Sequence, residues 1–385
     1  MKKFLILIIG IISYLLSKFF KTKKKLWIYG SSHGERFSDN SKYFFNHIRK
    51  NNTNIKSIWI TRSKRLYKEL KHKNIPVVHN VSLKGVFYCL IADVVVFSTS
   101  RDDLLFVYPK LNRKIVNLWH GMPMKKIVFD HKPHLPKNRN IKSKIWDKFV
   151  VGFQHSDVDL IPATSSFFKN ILQSAFKSNN VYVTGQARTD AFFEWDSLKI
   201  RTKYGFSTED TVITYMPTHR GYGSGLMNPK IFIENLNATS YFKKNKIKII
   251  WKFHPNMINK MVRDDINFDE DVFRDMTFVN CEPQELLFIS DMLITDYSSC
   301  YIDYLFLKRP IAFYLYDNYE EEDNELYFSP KDHKIGGICF SEKDLFNWIK
   351  LEKDNPKFEY GPDLLLYHKK IDNNSCSNIA KLVLN

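Results

Sequence analysis

The sequence contains few cysteines, and they are scattered along the chain. Its five cysteines in 385 residues form no Cys-x-x-Cys pair and no short cysteine–histidine group. Neither a disulfide framework nor a zinc site is therefore indicated. An odd, unclustered set is typical of a reducing compartment, where cysteine behaves as a small buried apolar residue.

The sequence also lacks the common nucleic-acid-binding signatures. It has no zinc-finger spacing, no aromatic and basic strand of the RNA-recognition type, and no basic region that leads into heptads. Its formal net charge of +17 nevertheless requires an explanation. An anionic membrane surface and phosphorylated substrates remain as partners that such a charge attracts. We therefore predict that nucleic acid is not a partner.

A signal-peptide cleavage site is missing at the N-terminus. Residues 4–16 are almost wholly apolar, but no small-x-small pair follows them, and the first alanine is Ala92. The run is slightly shorter than the roughly 20 residues of a spanning helix, so spanning and interfacial placement both stay open, as does a buried helix. Lysines are more numerous after the run than before it, which favours a cytoplasmic location for the remainder. We predict a membrane anchor at residues 1–25.

Apolar strand-like runs alternate with helical stretches along the rest of the chain. This alternation is typical of a parallel α/β sheet, and the length exceeds what one core usually organises. We predict two Rossmann-like domains that face a central cleft, at residues 26–180 and 181–385. The strand-like runs are 26–30, 57–60, 76–78, 94–97 and 115–119, and then 181–183, 212–215, 247–251, 292–294 and 311–314.

Two histidines directly follow strand-like runs. His120 lies in Trp-His-Gly, and two lysines, Lys125 and Lys126, come soon after it. His254 lies in Lys-Phe-His-Pro, where the proline favours an extended conformation for His254. In parallel α/β domains the carboxyl edge of the sheet carries the working residues, and a histidine there can exchange a proton near neutral pH. The alternative is that each histidine only packs against its turn.

Anion-binding side chains follow other runs of the second half. Arg188 and Arg220 each come just after a strand-like run, and the arginine fork matches phosphate oxygens. Either arginine alone is alternatively a surface ion-pair residue, whereas the two together favour a shared anion. Lys252 is either an anion ligand or an edge residue. Asp296, Ser298 and Ser299 precede a helical stretch, where small polar side chains cap the helix or leave its N–H groups to a phosphate.

In combination, these motifs resemble the CDP-glycerol glycerophosphotransferase family, whose members act in teichoic acid and capsule synthesis. The resemblance extends from about Trp27 to about Phe340. The motifs that carry it are Trp119-His120-Gly121-x-Pro123-x-Lys125-Lys126, Gly185-x-x-Arg188-x-Asp190, Pro217-Thr218-x-Arg220, Lys252-x-His254-Pro255 and Ile294-Thr295-Asp296-Tyr297-Ser298-Ser299.

The resemblance implies a GT-B fold and transfer of a polyol phosphate from CDP-glycerol or CDP-ribitol, with release of CMP. The acceptor would be a lipid-linked saccharide or a polyol-phosphate chain at the cytoplasmic face of an anionic membrane. No cofactor and no metal ion are implied. By resemblance His120 is the general base and His254 holds the diphosphate, Lys125 and Lys126 contribute charge for the acceptor, and the donor-binding residues are Arg188, Thr218, Arg220, Lys252, Asp296, Ser298 and Ser299.

The sequence departs from the family pattern at Met122, Ala187 and His219, and at the pair Gly336-Gly337. These departures leave the catalytic set intact, but they leave the identity of the donor open. A GT-B glycosyltransferase that uses a nucleotide sugar is the alternative enzyme. A membrane-bound assembly partner without activity is the alternative outside enzymes.

Overall fold

The computed structural model describes residues 19–104, 112–131, 151–152, 154–218, 238–253, 269–277, 279, 281–316, 326–332, 335–354 and 363–385. The chain divides into two compact units. The first unit comprises Met1–Met122, Ile127–Phe193 and His368–Asn385, and the second comprises Pro123–Lys126 and Glu194–Tyr367. The two units are described one after the other.

The described strands are short and are distributed over both units. They are β1 (Lys23–Tyr29), β2 (Lys56–Thr61), β3 (Val77–His79), β4 (Ala92–Phe97), β5 (Lys114–Asn117), β6 (Ile161–Ala163), β7 (Val181–Val183), β8 (Thr211–Tyr215), β9 (Ile247–Trp251), β10 (Phe273–Asp275), β11 (Met292–Thr295), β12 (Ile311–Tyr314) and β13 (Gly337–Cys339).

Helices connect these strands. They are α1 (Asp39–Asn51), α2 (Lys64–His72), α3 (Leu83–Ile91), α4 (Ser166–Phe176), α5 (Ser197–Lys203), α6 (Thr239–Lys244), α7 (Pro283–Ile289), α8 (Cys300–Tyr304), α9 (Glu342–Asp354), α10 (Asp363–Tyr367) and α11 (Ser375–Leu384). Serine side chains cap three of them, because Ser63, Ser82 and Ser165 each accept an N–H bond from the first turn of α2, α3 and α4.

The first unit is built on a parallel sheet in the order β3-β2-β1-β4-β5. Its central strands are buried on both faces, which explains why they read as continuous apolar runs in the sequence. From β1 the chain adds β2 and β3 on one side of the sheet, and it then adds β4 and β5 on the other side. The switch point therefore lies between β1 and β4. In such sheets the crevice beyond the carboxyl ends at this switch point is where ligands bind.

The second unit repeats the same plan. Its parallel sheet has the order β10-β9-β8-β11-β12-β13, with the switch point between β8 and β11. The prediction of an α/β chain with two Rossmann-like parallel sheets is thus confirmed.

The compact units divide the chain at different positions from the predicted domains. Residues 181–193 and 368–385 belong to the first unit, whereas the prediction placed them in the second domain. The physical reason is a contact between Asp190 and the start of α11. The Asp190 carboxylate accepts the backbone N–H groups of Ser375 at 3.1 Å and Cys376 at 2.7 Å. Gly185, at a φ of 85°, makes room for Ser375, since a Cβ there would lie 2.3 Å from the Ser375 hydroxyl.

The predicted membrane anchor at residues 1–25 falls mostly outside the described residues, which begin at Phe19. Its last three residues, Lys23 to Lys25, are exposed and form the start of β1. Within the described ranges, no helix combines the length and the apolar character that crossing a bilayer requires.

Candidate functional site

His120 lies at the carboxyl edge of the first sheet, three residues after the end of β5. The residue before it, Trp119, has a left-handed backbone with a φ of 51°, and its indole ring lies 4.2 Å from the imidazole between ring centroids. The turn therefore directs the chain so that the side chain of Trp119 is buried while His120 is exposed.

One hydrogen bond of His120 indicates which ring nitrogen carries the proton. Its Nδ1 lies 3.3 Å from the carbonyl oxygen of Ser98, the residue after β4. A carbonyl oxygen only accepts, so Nδ1–H is the donor and Nε2 bears the lone pair. The neutral imidazole thus offers Nε2 as a proton acceptor.

The surroundings of His120 favour this neutral form. Desolvation by the neighbouring protein lowers the pKa of His120 below its ordinary value, even though the residue has exposed surface. Asp39 and the Ser98 carbonyl oppose this shift, and the charges of Arg188 and His33 reinforce it. His120 is therefore unprotonated at neutral pH, as a general base must be.

A buried arginine supports the turn that carries His120. Arg188 donates from Nη1 to the carbonyl oxygen of His120 at 2.7 Å and to Oδ1 of Asp39 at 2.8 Å. Only 6% of the arginine side chain and 17% of the aspartate side chain are exposed. The guanidinium group thus fixes the backbone of His120 from the side of the 3₁₀ turn at Ala187–Phe193.

Asn40, at the beginning of α1, links the same elements. Its Nδ2 donates to the carbonyl oxygen of Trp119 at 2.8 Å, and its Oδ1 accepts the backbone N–H of Arg188 at 3.0 Å. Asp39 and Asn40 were not predicted as site residues. Their only signal in the sequence is a pair of polar residues at a helix start that follows the first strand.

A second histidine lies near His120. The ring of His155 packs against Trp119 and Phe176 at centroid distances of 6.0 and 5.8 Å. Desolvation, followed by the charges of His120 and Arg101, lowers the pKa of His155 to about 4. His155 therefore adds a neutral aromatic wall to the site at physiological pH.

The pH dependence of activity tests whether the Asp39 carboxylate raises the pKa of His120. We expect the acid limb of kcat/KM to have its midpoint below about pH 6.5, the ordinary pKa of histidine, because protonated His120 cannot accept a proton. Asp39→Asn should move that limb to lower pH, since the carboxylate charge favours the protonated form of His120. Asparagine still accepts from Arg188 and tolerates the left-handed backbone of position 39, at a φ of 63°.

The measurement is a profile of kcat/KM against pH for wild type and Asp39→Asn, with thermal unfolding as the control for folding. An acid limb that stays in place or moves to higher pH would show that the Asp39 carboxylate does not raise the pKa of His120.

In the second unit, two predicted residues meet at the switch point of the sheet. Asp296 follows β11, and its Oδ1 accepts the backbone N–H of Thr218, beyond β8, at 2.7 Å and the threonine hydroxyl at 2.5 Å. Both residues are buried. The carboxyl ends of β8 and β11 are thereby joined at the position where such sheets bind ligands.

The other predicted donor-binding residues have different surroundings. Lys252 directs its ammonium group to the carbonyl oxygens of Met276 and Val279, at 3.1 and 3.3 Å, and to the sulfur of Cys281 at 3.3 Å. Ser298 and Ser299 are half-buried, and Ser299 precedes α8 without a side-chain cap bond.

Three of the predicted site residues lie in the other unit from the one that the predicted domain boundaries gave them. Arg188 belongs to the first unit, with His120, whereas Lys125 and Lys126 belong to the second. A backbone bridge between Lys125 and Leu326 ties this lysine pair to the second unit. His254 and Arg220 lie outside the described residues.

Comparison with known proteins agrees with this architecture. The structure of the wall teichoic acid polymerase TagF superposes with a TM-score of 0.74 at 23% identity, covering 100% of this chain and 97% of that chain. This likeness shows a common fold.

Two curated relatives have similar sequences. A teichoic acid glycerol-phosphate transferase of Staphylococcus aureus is 26% identical over 92% of this chain and 90% of its own length. A teichoic acid poly(glycerol phosphate) polymerase of Bacillus subtilis is 25% identical over 88% of this chain, and the match spans 45% of that longer protein.

The family model described as CDP-glycerol:poly(glycerophosphate) glycerophosphotransferase matches residues 12–385, which is nearly the whole chain. The chain therefore belongs to this family.

Proposed function

We propose that the protein transfers glycerol phosphate, or a related polyol phosphate, from a CDP-activated polyol to a hydroxyl group of an acceptor. The observation that carries the proposal is the geometry of His120, an exposed imidazole with Nδ1 bonded to a carbonyl and Nε2 available as a base. Family membership and relatives that act on teichoic acid support the class of reaction. Teichoic acid or a capsular polymer is the proposed product.

His120 acts on the incoming hydroxyl group. Nε2 removes the proton as the hydroxyl oxygen forms a bond to the β-phosphorus of the donor, the phosphorus that bears the polyol. The bond between that phosphorus and the bridging oxygen breaks, and CMP leaves with the electron pair. A general base contributes about 10²–10⁴-fold to such a step, and the remainder comes from positioning and charge stabilisation.

The donor is proposed to bind at the switch point of the second sheet. Asp296 is an acceptor, which suits hydroxyl or amino groups of the nucleoside, whereas the hydroxyl groups of Ser298 and Ser299 suit phosphate oxygens. Arg220, Lys252 and His254 would supply positive charge to the diphosphate by resemblance to the family. The ammonium group of Lys252 would have to release its carbonyl partners to do so.

The acceptor is proposed to be lipid-linked, at the cytoplasmic face of the membrane, with Lys125 and Lys126 adding charge for it. Two observations support a location at an anionic surface. The formal net charge is +17, and four lysines just before and at the start of β1 are exposed, Lys21, Lys23, Lys24 and Lys25. Each lysine near an anionic leaflet contributes about 1 kcal/mol to binding.

The direct test measures CMP release from CDP-glycerol and CDP-ribitol separately, with and without a lipid-linked acceptor. We expect acceptor-dependent CMP release from one of the two donors, unaffected by a chelator. UDP-GlcNAc serves as the control donor, because release of UDP instead of CMP would favour the nucleotide-sugar alternative. Failure of both CDP-polyols in the presence of several acceptors would refute the proposal.

A further inference from the structure

A second exposed histidine, His33, lies at the carboxyl edge of the first sheet. It belongs to the loop Gly30–Gly34, which follows β1 at the switch point of that sheet. His33 is not among the residues that the sequence motifs single out. Its backbone is left-handed, with a φ of 55°, and 58% of its side chain is exposed.

The loop that carries His33 is held rigidly against the loop after β4. The carboxylate of Asp103 accepts the backbone N–H of His33 at 2.7 Å through one oxygen and those of Ser98 and Thr99, at 3.0 and 2.7 Å, through the other. Gly30 allows this approach, since a Cβ there would lie 2.4 Å from the carbonyl oxygen of Asp103. The backbone of His33 is therefore fixed by a hydrogen bond to the buried carboxylate of Asp103.

The imidazole of His33 is oriented by an aspartate. Nδ1 lies 3.3 Å from Oδ2 of Asp102, and Arg62 donates to the other oxygen of the same carboxylate at 2.8 Å. This hydrogen bond raises the pKa of His33; desolvation and Arg62 oppose the shift, while Asp103 adds to it. Because Nδ1 faces Asp102, Nε2–H is the donor that remains for a ligand.

His33 and His120 share one side of the first sheet. The loops that carry them both contact the segment after β4, since Ser98 binds His120 through its carbonyl oxygen and Asp103 binds His33 through its carboxylate. They are close enough for the charge of His33 to lower the pKa of His120. The edge thus combines a general base with a second imidazole, whose hydrogen bond to Asp102 favours its protonated form.

We propose that His33 binds a phosphate group of the acceptor and so gives the enzyme a preference for acceptors that end in a polyol phosphate. This inference rests on the proposed transferase function, because it names the acceptor class of the same site. In a glycerol-phosphate end, one three-carbon unit separates the attacking hydroxyl from the preceding phosphate. We assign the attacking hydroxyl of such an end to Nε2 of His120 and the preceding phosphate to Nε2–H of His33. A neutral saccharide end offers no such phosphate.

The first experiment measures phosphate binding without any turnover. Imidazole NMR signals of the full chain are recorded during titration with inorganic phosphate and with glycerol 3-phosphate at about pH 6, below the ordinary pKa of histidine, where the raised pKa of His33 keeps it cationic. We expect a saturable shift of the His33 signal, with the signal of His72, which is exposed at the end of α2, as the internal control. A His33 signal that does not respond, or that responds no more than His72, would overturn the proposal even in a protein with full transferase activity.

The second experiment compares two acceptors that differ only in a terminal glycerol phosphate. In His33→Asn, which tolerates the left-handed backbone, we expect KM for the phosphate-ended acceptor to rise about tenfold through loss of one charge-assisted bond. KM for the neutral-ended acceptor should stay unchanged, and kcat should change much less than KM.

His33→Lys is the matched control, because lysine keeps the positive charge and other lysines of this chain adopt the same backbone region, among them Lys177 and Lys246. It should retain most of the preference for the phosphate-ended acceptor. An equal loss in both variants, or an unchanged ratio of the two KM values in His33→Asn, would contradict the assignment. If the wild type itself transferred no polyol phosphate, the proposed function would fail, and the phosphate titration would still decide whether His33 binds phosphate.

Discussion

Replacing His120 with glutamine is expected to lower kcat by about 10²–10⁴-fold, the usual contribution of a general base. Glutamine keeps a similar size and a hydrogen-bond donor for the Ser98 carbonyl, but it does not accept a proton at neutral pH. The residue is exposed, so the free energy of unfolding should change little. CMP release under saturating donor and acceptor measures the effect.

His72→Gln is the matched control, since His72 is an exposed histidine at the end of α2, which leads into the amino end of β3 and so lies at the edge of the sheet opposite to His120. It should keep wild-type turnover. The remaining activity of His120→Gln should also lose the acid limb that His120 causes in the pH profile. Turnover of His120→Gln within a few-fold of wild type would exclude His120 as the base.

Replacing Arg188 with methionine is expected to lower both stability and turnover. Removal of the guanidinium group leaves the Asp39 carboxylate and the carbonyl oxygen of His120 without their buried donor. Breaking a buried ion pair from one side costs about 3–5 kcal/mol, and the partial exposure of Asp39 places the expected loss of unfolding free energy near the lower end. Urea denaturation measures this change.

Addition of Asp39→Asn should recover part of that loss, because it removes the charge that Arg188→Met leaves without its partner. The same variants test the sequence-based prediction that Arg188 binds the donor. A donor ligand would show a higher KM for the CDP-polyol with unchanged stability. A supporting role for His120 predicts lower stability and lower kcat, and the positions of its bonds lead us to expect this second pattern.

Much of the fold could be predicted because the central strands are buried on both faces and stand out as apolar runs. The runs at 212–215, 247–251 and 311–314 correspond to β8, β9 and β12 within one residue at either end. The predictions missed β6, β10 and β13, which are three residues long each. The missed strands read Ile-Pro-Ala, Phe-Arg-Asp and Gly-Ile-Cys, and they contain proline, aspartate and glycine, which are depleted in strands. The strands β3 and β7 are equally short, but they are rich in valine and were predicted.

The boundaries of the units were harder to predict than the strands. The C-terminal helix α11 joins the first unit through Asp190, a residue 185 positions before Ser375 in the chain. The Asp190 carboxylate accepts two N–H groups at the start of α11. Neither the sequence around Asp190 nor that of α11 indicates that the two segments bind each other.

The sequence by itself determined the parallel α/β class, the family, and the position of His120 just beyond a strand, since each of these depends on local order along the chain. Only the tertiary structure decided how His120 is equipped as a base. Its tautomer depends on Ser98, 22 residues away, and its support depends on Arg188, 68 residues away, and through it on Asp39. A parallel sheet brings the ends of distant strands to one edge, so the residues that tune the histidine are neighbours in space but not in sequence.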